Sequence, residues 1–133
     1  SLSFMLENAA SYQTHYTPNV LGIYLLYRVL KDMNPIAQVD ARLRKRMETL
    51  EQAISQSAVF QLLVDNSATR STTVVAVAGE EQAIVAVKKA AEKEGMQLGG
   101  GYGPLKSTSF RIANFPAITD AEFMRLVDFL KKY

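Results

Sequence analysis

Cysteine is absent from these 133 residues, which excludes a disulfide-stapled scaffold, a cysteine-ligated zinc module and a thiol nucleophile. Histidine occurs once, as His15, so catalysis built on paired histidines is excluded too. No charge sign dominates. Fifteen Lys and Arg against thirteen Asp and Glu leave +2, too little to argue for nucleic acid or an anionic membrane surface as partner. No apolar run reaches the roughly 20 residues that span a bilayer. The N-terminus lacks the charged-then-apolar layout of a secretory leader, and no Asn-X-Ser/Thr acceptor occurs, so a cytoplasmic chain is expected. What is present is ordinary for a folded domain, with 48% hydrophobic and 21% charged residues. A chain of this size makes one compact domain, or one domain plus an appendage, and folding should bury roughly two-thirds of its unfolded surface.

Residues 1–16 show little periodicity and read as a processed end or a linker from something upstream, which leaves 17–133 as the domain. Thr17-Pro18-Asn19 predicts a helix start, with threonine as N-cap and proline in the first turn. From Val20 to Leu30 the apolar residues cover nearly the whole helix circumference, and such a helix is normally buried. Arg28 interrupts the run. A chain this short has little left to cover the helix, so a partner copy or a larger missing domain is implied. After Asn34-Pro35, Ile36, Val39, Leu43, Met47, Leu50 and Ile54 step by three and four as one stripe. The basic run Arg42–Arg46 lies mostly off that stripe and reads as a solvated face.

Beyond Ser57 the period changes. Residues 59–64 and 72–78 predict strands, 80–94 a helix closed by Gly95, 96–98 a brief strand, and 108–115 a strand stopped by Pro116. Thr119-Asp120-Ala121-Glu122 is a capping box for a last helix striped by Phe123, Leu126, Val127 and Leu130. The expected class is α+β: two N-terminal helices, then a small, mostly antiparallel sheet with helices packed on one face.

Three features could carry chemistry. The glycine-rich stretch Gly99–Pro104 is not a phosphate-binding loop, because Pro104 and Leu105 separate Gly103 from Lys106 and a strand follows instead of a helix. Its plain reading is a sharply turning or flexible connection. Thr17-Pro18 at a helix start offers backbone N–H groups and a hydroxyl to an anion, although most such sequences are only caps. Arg111 interrupts an apolar strand, so it must face solvent, pair with an acid, or point into a ligand cleft. The carboxylates show no metal-ligand spacing, and no metal site is expected.

Taken together, His15-Tyr16-Thr17-Pro18-Asn19, then Gly103-Pro104-Leu105-Lys106, then Phe110-Arg111-Ile112-Ala113-Asn114-Phe115-Pro116 resemble class V pyridoxal-phosphate aminotransferases, and within them the phosphoserine aminotransferase family. The likeness runs from about Ser11 to Tyr133 and falls on the part of such enzymes downstream of the Schiff-base lysine. It implies the small C-terminal domain of a fold-type-I pyridoxal-phosphate enzyme. It further implies a homodimer in which Thr17, flanked by Tyr16 and His15, reaches the cofactor phosphate of the neighbouring subunit. Arg111 would hold the substrate carboxylate, and Lys106 is the one cation near it for a substrate phosphate. The implied substrates are small amino acids and 2-oxo acids, with amino transfer from L-glutamate to 3-phosphohydroxypyruvate in serine biosynthesis. No catalytic residue falls within these 133 positions, so the chain by itself should be inactive. The same residues suit a serine- or alanine–glyoxylate-type aminotransferase, and the layout also suits a free-standing α+β ligand-binding module.

Overall fold

The computed structural model describes residues 1–133, in two compact units, Ser1–Pro35 and Ile36–Tyr133. The first unit holds two helices. Helix α1, Leu2–Ala10, forms where the sequence shows little periodicity; Ser1 caps it, and the chain leaves it through Tyr12 in the left-handed region at φ 55°. Helix α2, Val20–Asp32, starts later than the Thr-Pro signature suggests. Its N-cap is Asn19, whose Oδ1 accepts from the Gly22 amide at 2.9 Å. Glycine at that position leaves room for the cap, since a Cβ on Gly22 would stand 2.8 Å from Asn19 Nδ2. Thr17 therefore precedes the helix and does not close it. None of the α2 side chains is buried.

The second unit is built on a four-stranded sheet in the order β1-β2-β4-β3, antiparallel throughout. The strands are β1 (Phe60–Leu62), β2 (Val74–Gly79), β3 (Gly99–Gly100) and β4 (Ser109–Ala113). Three helices accompany it: α3 (Ile36–Ser55), α4 (Glu81–Lys93) and α5 (Asp120–Leu130). Strand register decides which side chains meet. Val75 lies opposite Ile112 and Val77 opposite Phe110, so these four share one face and all are buried. Phe60 meets Phe110 edge to face at 5.5 Å between ring centroids. Leu50 and Ile54 of α3, Ile84 and Val87 of α4, and Phe123 and Val127 of α5 complete this core. Each such side chain contributes on the order of 1.5–3 kcal/mol through burial.

The predicted α3 stripe is buried except at Ile36, in the first turn, which is 71% exposed. Arg46, placed outside on sequence grounds, is inside at 5% exposure. It follows Leu43 by three residues and so falls on the same helical stripe. Its guanidinium bonds the Asp120 carboxylate and, at 2.8 Å, the Ile118 carbonyl, and lies 5.5 Å above the Phe123 ring. It thereby ties α3 to the start of α5. Helix α4 ends with Gly95 at φ 73°, and the capping box of α5 forms in both directions between Thr119 and Glu122. The brief strand expected at 96–98 forms instead at Gly99–Gly100. No helix is long and apolar enough to cross a membrane.

Candidate functional site

Strand β4 alternates core and open face. Phe110 and Ile112 point inward, so Arg111 between them must emerge on the opposite face. Its cross-strand neighbours are Ala76 on β2 and Gly99 on β3, both small, which leaves the guanidinium uncrowded. Of the three destinations open to it, the acid partner is not taken: its hydrogen bond within the chain runs from Nε to the Gly100 carbonyl at 2.7 Å. The Tyr102 ring lies against the guanidinium, 5.5 Å from Cζ to centroid. Arg111 lines a cleft of about 500 Å³ whose walls include Leu98, Gly99, Gly100, Phe115 and Ile118. Such a place suits a small carboxylate with an apolar body, because a guanidinium pairs bidentately with a carboxylate plane.

The loop from β3 to β4 is tightly specified. A Cβ on Gly101 would stand 2.2 Å from Ser109 Oγ and 2.4 Å from the Leu105 carbonyl oxygen, so only glycine fits. Ser109 is buried, and its hydroxyl donates to the Leu105 carbonyl at 2.6 Å. Gly103 has φ 52° and opens a single 3-10 turn, Gly103–Leu105, which ends at exposed Lys106. The turning connection expected here is thus found, with close backbone approach at Gly101 and a left-handed residue at Gly103. Sequence reasoning passed over Tyr102 and Ser109. The glycines flanking Tyr102 were the available signal, since they mark where backbone must come close to something.

In the first unit Thr17 is exposed and makes no hydrogen bond within the chain, through either amide or hydroxyl. The His15 ring is held edge-on between Phe4 and Tyr16, at 4.4 and 4.3 Å between centroids. Asn19 already satisfies the Gly22 amide, and the Val20 amide bonds the Pro18 carbonyl at 2.8 Å, so the end of α2 is largely closed by its own residues.

Elsewhere, a larger cleft of about 760 Å³ beside β1 contains none of His15, Tyr16, Thr17, Lys106 and Arg111, and the Arg70 in its wall is committed to Glu51 and to the Val64 and Asp65 carbonyls. The three arginines of the basic run of α3 are likewise engaged. Arg42 bonds the Pro116 carbonyl, Arg44 pairs with Asp40, and Arg46 pairs with Asp120. The Asp40 carboxylate, through its hydrogen bond first and its charge second, raises the Arg44 pKa. No group of three or more His, Asp or Glu side chains is placed to hold a metal ion.

The fold is that of known aminotransferases. The phosphoserine aminotransferase of Cytophaga hutchinsonii matches 96% of this chain at 33% identity and a TM-score of 0.87, over 36% of its own length. A subgroup IV aspartate aminotransferase from Thermus thermophilus matches 98% of this chain and 37% of its own length, with a TM-score of 0.79 and 18% identity. An alanine–glyoxylate aminotransferase from Nostoc sp. matches 89% of this chain and 32% of its own length, with a TM-score of 0.72 and 22% identity. The last two speak for fold alone. This chain therefore spans about a third of the length of each of these three enzymes. No protein-family model and no curated protein matches it. The resemblance read from the sequence, and the α+β class with it, are borne out.

Proposed function

We propose that this chain, which has the fold of a class V aminotransferase C-terminal domain, serves as that domain in a homodimeric enzyme of the phosphoserine aminotransferase type. The enzyme would transfer the amino group of L-glutamate to 3-phosphohydroxypyruvate, yielding 2-oxoglutarate and O-phospho-L-serine for serine biosynthesis. The observation that carries this reading is Arg111: an exposed guanidinium with no acid partner, lining a cleft between small cross-strand neighbours. Lys106, exposed in the connection between β3 and β4, would be the cation for a substrate phosphate.

Pyridoxal phosphate, when bound, supplies a carbonyl that takes up the amino group and a ring that withdraws electrons. The residues present fit one part of it. The free hydroxyl and amide of Thr17 suit a phosphate oxygen, with His15 and Tyr16 flanking them. That contact would be made to the cofactor of the neighbouring subunit. Turnover by the 133-residue chain alone is not expected. Lys88, Lys89 and Lys93 sit on α4, Lys88 half-buried and the other two exposed, and Lys131 and Lys132 are paired with Asp128 and Glu94; on this reading the covalent anchor belongs to the larger domain. The bare apolar helix α2 would be covered by the larger domain and the partner subunit.

The test is transamination by the product of the whole reading frame that contains this chain. Arg111→Ala should lower kcat/KM for L-glutamate about thirty- to several-thousand-fold, equivalent to about 2–5 kcal/mol for a charged bidentate contact. Arg111→Lys should restore only part of it, because an ammonium cannot fork. Unchanged amino-donor kinetics in Arg111→Ala would break the assignment.

A further inference from the structure

We infer that Tyr102 is a positioning residue: its ring and the Gly100 carbonyl together aim the Arg111 guanidinium so that its two terminal amino groups meet the incoming carboxylate. The inference rests on the reading of Arg111 as the carboxylate-binding arginine. A guanidinium can grip a carboxylate along its Nε side or across its two terminal nitrogens. In Arg111 the Nε hydrogen is spent on the Gly100 carbonyl at 2.7 Å, so the terminal edge is the one left to offer. One hydrogen bond fixes where the group sits but leaves its plane free to tilt. The Tyr102 ring, 5.5 Å from Cζ, supplies a surface that sets the plane, and a cation is attracted to such a face.

Tyr102 is itself held in place. On one side Gly101 is wedged against Ser109 Oγ and the Leu105 carbonyl so closely that no Cβ would fit. On the other, the Leu105 amide bonds the Tyr102 carbonyl at 3.1 Å, while Ser109 fastens Leu105 to β4. The ring is 81% exposed and takes no part in the core. An aromatic side chain so placed contributes little to folding. Its defined contact is with Arg111, a long side chain that otherwise loses considerable rotamer freedom when a ligand immobilises it.

The experiment is a titration with L-glutamate of the product of the whole reading frame that contains this chain, with arginine labelled by ¹⁵N, following the Arg111 Nε–H resonance by NMR. Tyr102→Phe keeps the ring and should match the unsubstituted protein in affinity and resonance position. Tyr102→Ala should bind about two- to five-fold more weakly, the range for an exposed cation–π contact, and the resonance should lose its ring-current shift. Native affinity and an unmoved resonance in Tyr102→Ala, with binding abolished by Arg111→Ala, overturn the role of Tyr102 and leave the carboxylate reading of Arg111 standing. Binding that is absent from the unsubstituted whole-frame product, or that survives Arg111→Ala in it, overturns that reading and the inference with it.

Discussion

Leu26 in α2 and Leu50 in α3 are the same residue in the same kind of element, yet one is 58% exposed and the other fully buried. The difference lies in the helices around them. Helix α3 carries one apolar stripe and a charged back, and that stripe closes over the sheet with Phe60, Val75 and Phe110. Helix α2 is apolar nearly all round and buries nothing within the chain. A stripe matched to one neighbour can be satisfied inside a small domain. A helix without a polar back needs cover on several sides, and the first unit, Ser1–Pro35, does not provide it. The second unit is thus a finished core, and α2 is a surface awaiting one.

The largest expected effect tests that contrast directly. Leu50→Ala should cost about 2–5 kcal/mol in urea unfolding of the chain, because it opens a cavity in a closed core. Leu26→Ala should change stability by only about 0.5 kcal/mol or less, as an exposed substitution does. Equal losses at the two positions would show that α2 is covered in solution and erase the distinction.

A second, smaller effect sharpens the comparison within α3. Arg46→Ala removes the buried guanidinium from the Ile118 carbonyl, from Asp120 and from the Phe123 ring. The Asp120 carboxylate is exposed and can rehydrate, so the cost should be about 1–3 kcal/mol, below that of stranding a buried charge. Arg44→Ala breaks only an exposed pair with Asp40 and should leave the unfolding curve unchanged. Identical curves for the two variants would place Arg46 on the surface after all.

The smallest effect concerns pH. The Thr119 hydroxyl and then the Thr119 amide, hydrogen-bonded to the Glu122 carboxylate, lower its pKa in the folded chain. A carboxylate with a depressed folded pKa stabilises the fold above its unfolded pKa, about 4.3 for glutamate. That contribution fades as pH falls from there through the folded value. Glu122→Gln keeps a capping side chain but cannot titrate. Urea midpoints between pH 6 and pH 3 should therefore fall more steeply in the native chain than in Glu122→Gln, and parallel curves would refute the linkage.

Much of this was legible beforehand for a definite reason. The α3 stripe, the capping box at Thr119, the Gly95 stop of α4 and the β-branched runs of β1 and β2 are local patterns, and local patterns follow from the geometry of one element. The misplacements also have physical causes. Thr17 looked like a cap because threonine followed by proline is a good one, but Asn19 reaches the Gly22 amide and starts the helix two residues on. Arg46 was assigned to solvent by its charge, although its position on the helix already put it with Leu43 and Leu50. Tyr102 carried no signal beyond its glycine neighbours, and its contact with Arg111 exists only because β3 and β4 pair in one register.

By itself, the sequence determined the α+β class, the core-facing stripes, the exceptional character of α2 and the family resemblance, all of which are written in residue types and their spacing. Only the tertiary structure decided that Arg111 is free of an acid partner, that the Gly100 carbonyl takes its Nε hydrogen, that Tyr102 lies against it, and that Arg46 bridges α3 to α5. These depend on which segments meet across the fold. Arg46 and Asp120 are 74 residues apart, and strand pairing and helix packing set that meeting, not any pattern around either residue.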